Sequence, residues 1–171
     1  IPGTADYYQR VRRPEGFYLP NGAREGKFNT PIGKARFTVN AVPDISLAEG
    51  TYRLFTIRSH DQYNTTIYGL HDRYRGIYNE RRVIMMNESD MAEASLSQGS
   101  VVNLIGEYQG QTRRADRFIA IPYSVPKGCV AAYFPETNVL VPIDSYADRS
   151  HTPTSKSIII RIESSGKKVS I

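Results

Sequence analysis

Cysteine is nearly absent: Cys129 is the only one in 171 residues. One thiol excludes an internal disulfide and any local cysteine cluster for zinc or iron–sulfur. Set in the run Cys129-Val130-Ala131-Ala132, it reads as a small core residue rather than a catalytic thiol. Histidine is scarce too: His60, His71 and His151 have no metal-ligand spacing, and none pairs with the cysteine. No Gly-rich loop ends in Gly-Lys-Ser/Thr, and no Gly-x-Ser-x-Gly elbow occurs. No apolar run is long enough to span a membrane, and no signal peptide follows Ile1-Pro2-Gly3. That start, without an initiator Met, leads us to expect a cytoplasmic piece of a longer protein, with no catalytic residue and no metal ligand of its own.

Long runs of one charge are also missing. The net charge of +5 comes from scattered basic residues, among them Arg10, Arg12, Arg13, Arg73, Arg75, Arg81, Arg82, Arg113, Arg114, Lys167 and Lys168. None of these groups reaches the run of about five or six that marks a nucleic-acid tail. Twelve tyrosines beside them can still stack bases. A basic β-barrel binding module for single-stranded nucleic acid is therefore one reading. A basic face for a single anionic ligand, or for an acidic neighbouring domain, is the other.

Residues 1–50 have little periodicity and much Pro, Gly and Arg, with one short alternating piece at Ala35–Val39. They read as a connector that wraps onto the domain. Residues 51–171 read as one mainly β domain. Branched and aromatic runs bounded by Gly and Pro predict strands at Thr51–Ile57, Arg82–Met86, Val101–Ile105, Arg117–Ile121, Cys129–Phe134 and Ile158–Ile162. A short helix is expected over residues 88–96, capped by Asn87, acidic in its first turn and ended by Gly99.

The most telling stretch is Arg58-Ser59-His60-Asp61-Gln62-Tyr63-Asn64-Thr65-Thr66, which follows Leu54-Phe55-Thr56-Ile57 directly. A strand that ends abruptly in such residues delivers a polar loop to a ligand or satisfies its own backbone, and the residues alone leave both open. Arg58 has the fork to grip two phosphate oxygens. Ser59, Asn64, Thr65 and Thr66 offer short hydrogen-bonding groups, and Tyr63 a ring with a polar tip. The following run to Tyr78 is long, aromatic and basic, a functional loop or an exposed one.

The string Arg58-Ser59-His60-Asp61-Gln62-Tyr63-Asn64-Thr65-Thr66-Ile67-Tyr68-Gly69 resembles the cofactor loop in the C-terminal domain of molybdopterin oxidoreductases, formate-dehydrogenase-like branch. Lys27-Phe28-Asn29-Thr30-Pro31-Ile32-Gly33-Lys34-Ala35-Arg36-Phe37 is similar to the connector before that domain. The stretch from Asn87 through Asp90 to Val101 resembles the capped crossover of double-psi β-barrels, with Met91 where Ala is usual and Ser95 where Gly is common.

The resemblance implies a six- or seven-strand double-psi β-barrel of aspartate-decarboxylase-like fold, with one or two short helices. It implies molybdopterin guanine dinucleotide as cofactor, held by Arg58, Ser59, His60, Asp61, Gln62, Tyr63, Asn64 and Thr65, with Tyr133, Asn138 and Lys156 completing the site. Molybdenum or tungsten, with its protein ligand and any iron–sulfur cluster, would lie in upstream domains of the same polypeptide. The reaction would be a two-electron oxidation or reduction of a small molecule, with formate as the branch's example.

Overall fold

The computed structural model describes residues 3–42, 44–64 and 67–170. The chain divides into two units, one up to Asp44 and one from Ile45 onward. The first unit carries a single helical turn, α1 (Tyr7–Arg10). Its anchor is Arg10, whose guanidinium donates to the Gly3 and Tyr18 carbonyls and lies 4.3 Å from the Phe17 ring centre. The alternating piece joins no sheet, and Phe37 and Val39 are fully exposed.

The second unit is a barrel built from β1 (Thr51–Ile57), β2 (Val83–Met86), β3 (Ser100–Tyr108), β4 (Gln111–Pro122), β5 (Cys129–Tyr133) and β6 (Ile158–Lys168). It closes in the order β1-β5-β2-β4-β3-β6. The pairs β1–β5 and β2–β4 are parallel and the other four neighbours are antiparallel. The mainly β architecture with short helices therefore stands as expected.

Strand β2 shows how the sequence builds two cores. Val-Ile-Met-Met lacks polar alternation because both its faces are covered. Ile84 and Met86 join Leu54, Leu104, Phe118, Val130 and Ile160 in the main core. Val83 and Met85 point the other way and join Ile77, Ile121, Ala131 and Tyr133 in a second core. That second core includes the far end of the long segment that follows β1, and it is the floor on which the loop rests.

Several boundaries differ from expectation, among them the end of β6, which runs on to Lys168 and pairs there with Ser100 rather than stopping at Ile162. Strands β3 and β4 are longer, because Gln109 and Gly110, at φ 49° and 77°, make a two-residue hairpin turn that joins them. The helix α2 (Glu88–Glu93) begins where expected, with Asn87 Oδ1 accepting the Ser89 amide at 2.9 Å. It ends earlier, at a Schellman closure: Ser95 sits at φ 54°, and the Ser95 and Leu96 amides donate back to the Ala92 and Met91 carbonyls. Gly99 instead serves strand packing. A Cβ there would lie 2.2 Å from the Val169 carbonyl oxygen, and φ is +88°. Cys129, at the start of β5, is half-buried rather than enclosed.

Candidate functional site: a loop with two faces

Strand β1 stops pairing at its last residue, where the Phe134 amide donates to the Ile57 carbonyl at 2.8 Å. The chain then folds into a closed turn. The Gln62 amide donates to the Ser59 carbonyl at 3.1 Å, and Gln62 Oε1 accepts the Ser59 amide at 3.3 Å. Gln62 Nε2 reaches across to the Phe134 carbonyl at 3.0 Å. This geometry divides the loop. Ser59 and Gln62 are buried, whereas Arg58, His60, Asp61, Tyr63 and Asn64 are exposed. Thr65 and Thr66 lie outside the described residues.

The buried side is organised by a residue that the sequence reading did not single out. Arg81 grips Glu136 through two bonds, Nε to Oε1 at 2.7 Å and Nη2 to Oε2 at 3.2 Å. Its Nη1 donates to Ser59 Oγ at 2.8 Å, and its Nη2 donates to Gln62 Oε1 at 3.1 Å and to the Phe134 carbonyl at 2.9 Å. The guanidinium lies over two rings, with centroids 3.5 Å away for Tyr68 and 4.7 Å for Tyr133. Glu80 Oε1 accepts the backbone amides of Arg81 and Arg82. The side chains of Arg81 and Glu136 are only 5% and 11% exposed, so each charge depends on the other.

Tyr133 sits beneath this assembly at 1% exposure. Its ring and hydroxyl are enclosed in the protein. Its hydroxyl donates to Asp72 Oδ2 at 2.7 Å, and Arg75 Nη1 donates to the same oxygen at 2.5 Å. Arg75 Nη1 also donates to the Arg58 carbonyl at 3.2 Å. Burial pushes the Asp72 carboxyl up, but the bonds from Tyr133 and Arg75 and the charge of Arg75 outweigh it. The carboxyl ends below its ordinary value. Burial first, and then the bond and charge of Asp72, push the Tyr133 hydroxyl up. The long segment after the loop is thus anchored at Tyr68 and Asp72, while His71 lies beside Tyr78 at 5.7 Å between ring centres.

On the exposed side the turn before the last strand brings Lys156 to the end of β1, beside the start of the loop. The Thr56 amide donates to the Ser155 carbonyl at 3.0 Å, which seats the turn before β6 beside the end of β1. Lys156 Nζ then donates to the Thr56 carbonyl, with Thr56 Oγ1 at 3.5 Å. Its ammonium is held below the ordinary lysine value, by burial first and then by the charge of Arg58. Among the described residues neither Arg58 nor Lys156 has a carboxylate partner. His60 adds a ring 3.8 Å from that of Tyr74. Asn138 is exposed at the start of a short 3₁₀ turn (Asn138–Leu140), two residues beyond the largely enclosed Glu136.

The closed β-barrel thus seats Lys156 at Thr56, two residues before Arg58, at the end of β1. The chain belongs to the molybdopterin dinucleotide binding domain family, whose profile matches residues 52–159. Relatives include an uncharacterised oxidoreductase of Mycobacterium tuberculosis, 49% identical over 169 residues, and protein YdeP of Escherichia coli K12, 39% identical over 171. These alignments cover 95% and 96% of this chain but 22% of each relative. The chain therefore spans about a fifth of the length of the curated relatives it matches, and they continue well beyond this domain. Among the described residues no helix is long and apolar enough to cross a membrane.

Proposed function

We propose that this domain holds molybdopterin guanine dinucleotide for a larger oxidoreductase of formate-dehydrogenase-like type. The binding face in this reading is Arg58, His60, Asp61, Tyr63 and Asn64, joined by Thr65, Asn138 and Lys156. One observation carries the reading: Lys156 Nζ bonds the Thr56 carbonyl, two residues before Arg58, and among the described residues neither cation has a carboxylate partner. Two like charges repel in an empty site, so an anion such as a phosphate makes the arrangement favourable. The guanidinium supplies two parallel donors for phosphate oxygens, and the ammonium supplies a compact second charge. The barrel would be of the double-psi type, a reading supported by its two parallel pairs within an otherwise antiparallel closed sheet.

When bound, the cofactor supplies a metal, molybdenum or tungsten, that undergoes two-electron redox chemistry. The residues of this chain would bind and orient it. The metal's protein ligand, any iron–sulfur cluster and the substrate-binding groups would belong to the other domains of a cytoplasmic enzyme, with formate the substrate to try first.

Arg58→Ala in the full-length protein tests the reading. Losing one charge-assisted phosphate contact costs about 1.5–3 kcal/mol, or roughly ten- to a hundredfold in affinity. Molybdenum and released pterin per chain should fall accordingly while the domain stays folded. Wild-type cofactor content in that variant would sink the proposal.

A further inference from the structure

The loop that carries the proposed binding face is held from behind by two arginines, Arg81, which is buried, and Arg75, which bonds its backbone. Arg81 bonds Ser59 and Gln62 inside the loop, and also Phe134 and Glu136 in the segment after β5. Arg75, fixed on Asp72, bonds the Arg58 carbonyl. We infer that Arg81, paired with Glu136, is the positioning residue of this site: it sets the loop into its binding shape before any cofactor arrives. The inference rests on the cofactor reading given above, but it concerns how the chain prepares the site rather than what fills it.

The physical case has three parts. First, the bonds join two segments far apart in sequence, since Arg81 lies 55 positions from Glu136 and 22 from Ser59. One rigid planar group thus fixes the relative placement of both. Second, Arg81 is turned away from a ligand. Its donors meet the loop, the Phe134 carbonyl and Glu136, its side chain is 5% exposed, and it lies over the rings of Tyr68 and Tyr133. Third, pre-forming a loop removes the ordering cost that a ligand would otherwise meet on binding. A buried ion pair is weak support for stability alone, because an apolar pair of similar size often serves as well. Specific positioning is what the pair offers and an apolar pair does not.

That contrast defines the experiment, run on the full-length protein. Arg81→Met alone strands Glu136 in a buried site and can fail to fold, so it is paired with the double variant Arg81→Met/Glu136→Met, which removes both charges. Two quantities are read. One is hydrogen exchange of the Ser59–Gln62 amides in protein prepared without molybdenum. The other is molybdenum and pterin per chain after normal expression. Positioning predicts that the double variant unfolds at wild-type denaturant concentration, exchanges at Ser59–Gln62 at least about tenfold faster, and retains about tenfold less cofactor. Arg81→Lys, which keeps the charge but loses the fork, should recover little of either.

A double variant with wild-type exchange at these amides overturns the inference whatever the cofactor content. Faster exchange with wild-type cofactor content overturns it too, provided Arg58→Ala measured alongside loses cofactor. If Arg58→Ala keeps its cofactor, the binding reading fails, and the exchange measurement still decides whether Arg81 shapes the loop.

Discussion

The front and the back of one short loop are built on opposite principles. On the front, Arg58, His60, Asp61, Tyr63 and Asn64 are exposed, and the cations at Arg58 and Lys156 have no carboxylate partner among the described residues. On the back, Ser59 and Gln62 are buried, and their polar atoms meet Arg81, Phe134 and one another. Residues adjacent in sequence therefore do different work. A run of polar residues resembling a family's cofactor loop is a mixture of exposed groups and the buried groups that hold them still. Pairing separates the two: the back is tied to Arg81 and Glu136, and the front is the side that the proposed reading gives to an anion.

The largest expected effect comes from weakening the back at its base. Tyr133→Phe deletes the bond from the hydroxyl to Asp72, a buried bond to a charged group, so about 1.5–3 kcal/mol of stability should be lost. The variant also has a signature in acid. Asp72 is held below its ordinary 3.8 in the folded protein, so its contribution is present above that value. It is lost as pH falls through the lower folded value. With one of its donors gone, the folded carboxyl titrates higher and acid unfolding begins at higher pH. Urea unfolding at neutral pH, and an acid titration followed by circular dichroism, measure both. An unchanged acid limb would mean that the Tyr133 hydroxyl does not sustain the Asp72 charge.

The division also explains what could be read from the sequence. The strands were legible because branched and aromatic runs bounded by turn residues are local signals, and Asn87 announced the start of α2 by its own chemistry. The place of the loop was legible for the same reason: the apolar run ending at Ile57 gives way at once to Arg58. The end of α2 was not, because Ser95 takes the left-handed conformation that usually signals Gly. Nor did Gln109-Gly110 stand out as a hairpin turn. Arg81 was invisible for a deeper reason. It reads as one of many scattered basic residues, and its meaning lies in a carboxylate 55 positions away. Tyr133 entered only through the resemblance, as a cofactor-binding residue, and its burial under Arg81 was not legible.

An intermediate effect should come from filling the front. If an anion relieves Arg58 and Lys156, sulfate should stabilise cofactor-free full-length protein by about 1.4 kcal/mol at ten times its dissociation constant. Lys156→Met should remove most of that protection. The pH dependence has a definite sign. Lys156 is lowered from 10.5 in the folded state, so the unfolded chain holds this proton more tightly. Between the lowered value and 10.5 the stability of the empty protein therefore rises with pH. A bound anion pushes the ammonium back up, so sulfate protection should fade as pH climbs through the same window. Thermal unfolding with and without sulfate across that range would show it. Equal protection of wild type and Lys156→Met would mean the anion sits elsewhere.

The smallest effect sharpens the comparison most, because it concerns direct neighbours. Gln62 is 4% exposed and Tyr63 is 79% exposed. Gln62 ties the loop to Phe134, whereas Tyr63 leaves the surface. Tyr63→Ala should therefore change stability by no more than about 0.5 kcal/mol, the ordinary range for an exposed position away from any cap or network. If Tyr63 belongs to the binding face, cofactor retention should fall all the same. A front residue is one whose loss is felt only when the site is filled. Denaturant unfolding of the cofactor-free protein, set beside molybdenum content after expression, reads the two quantities separately. A stability loss above 1 kcal/mol would place Tyr63 with the supporting side and move the boundary between the two faces outward by one residue.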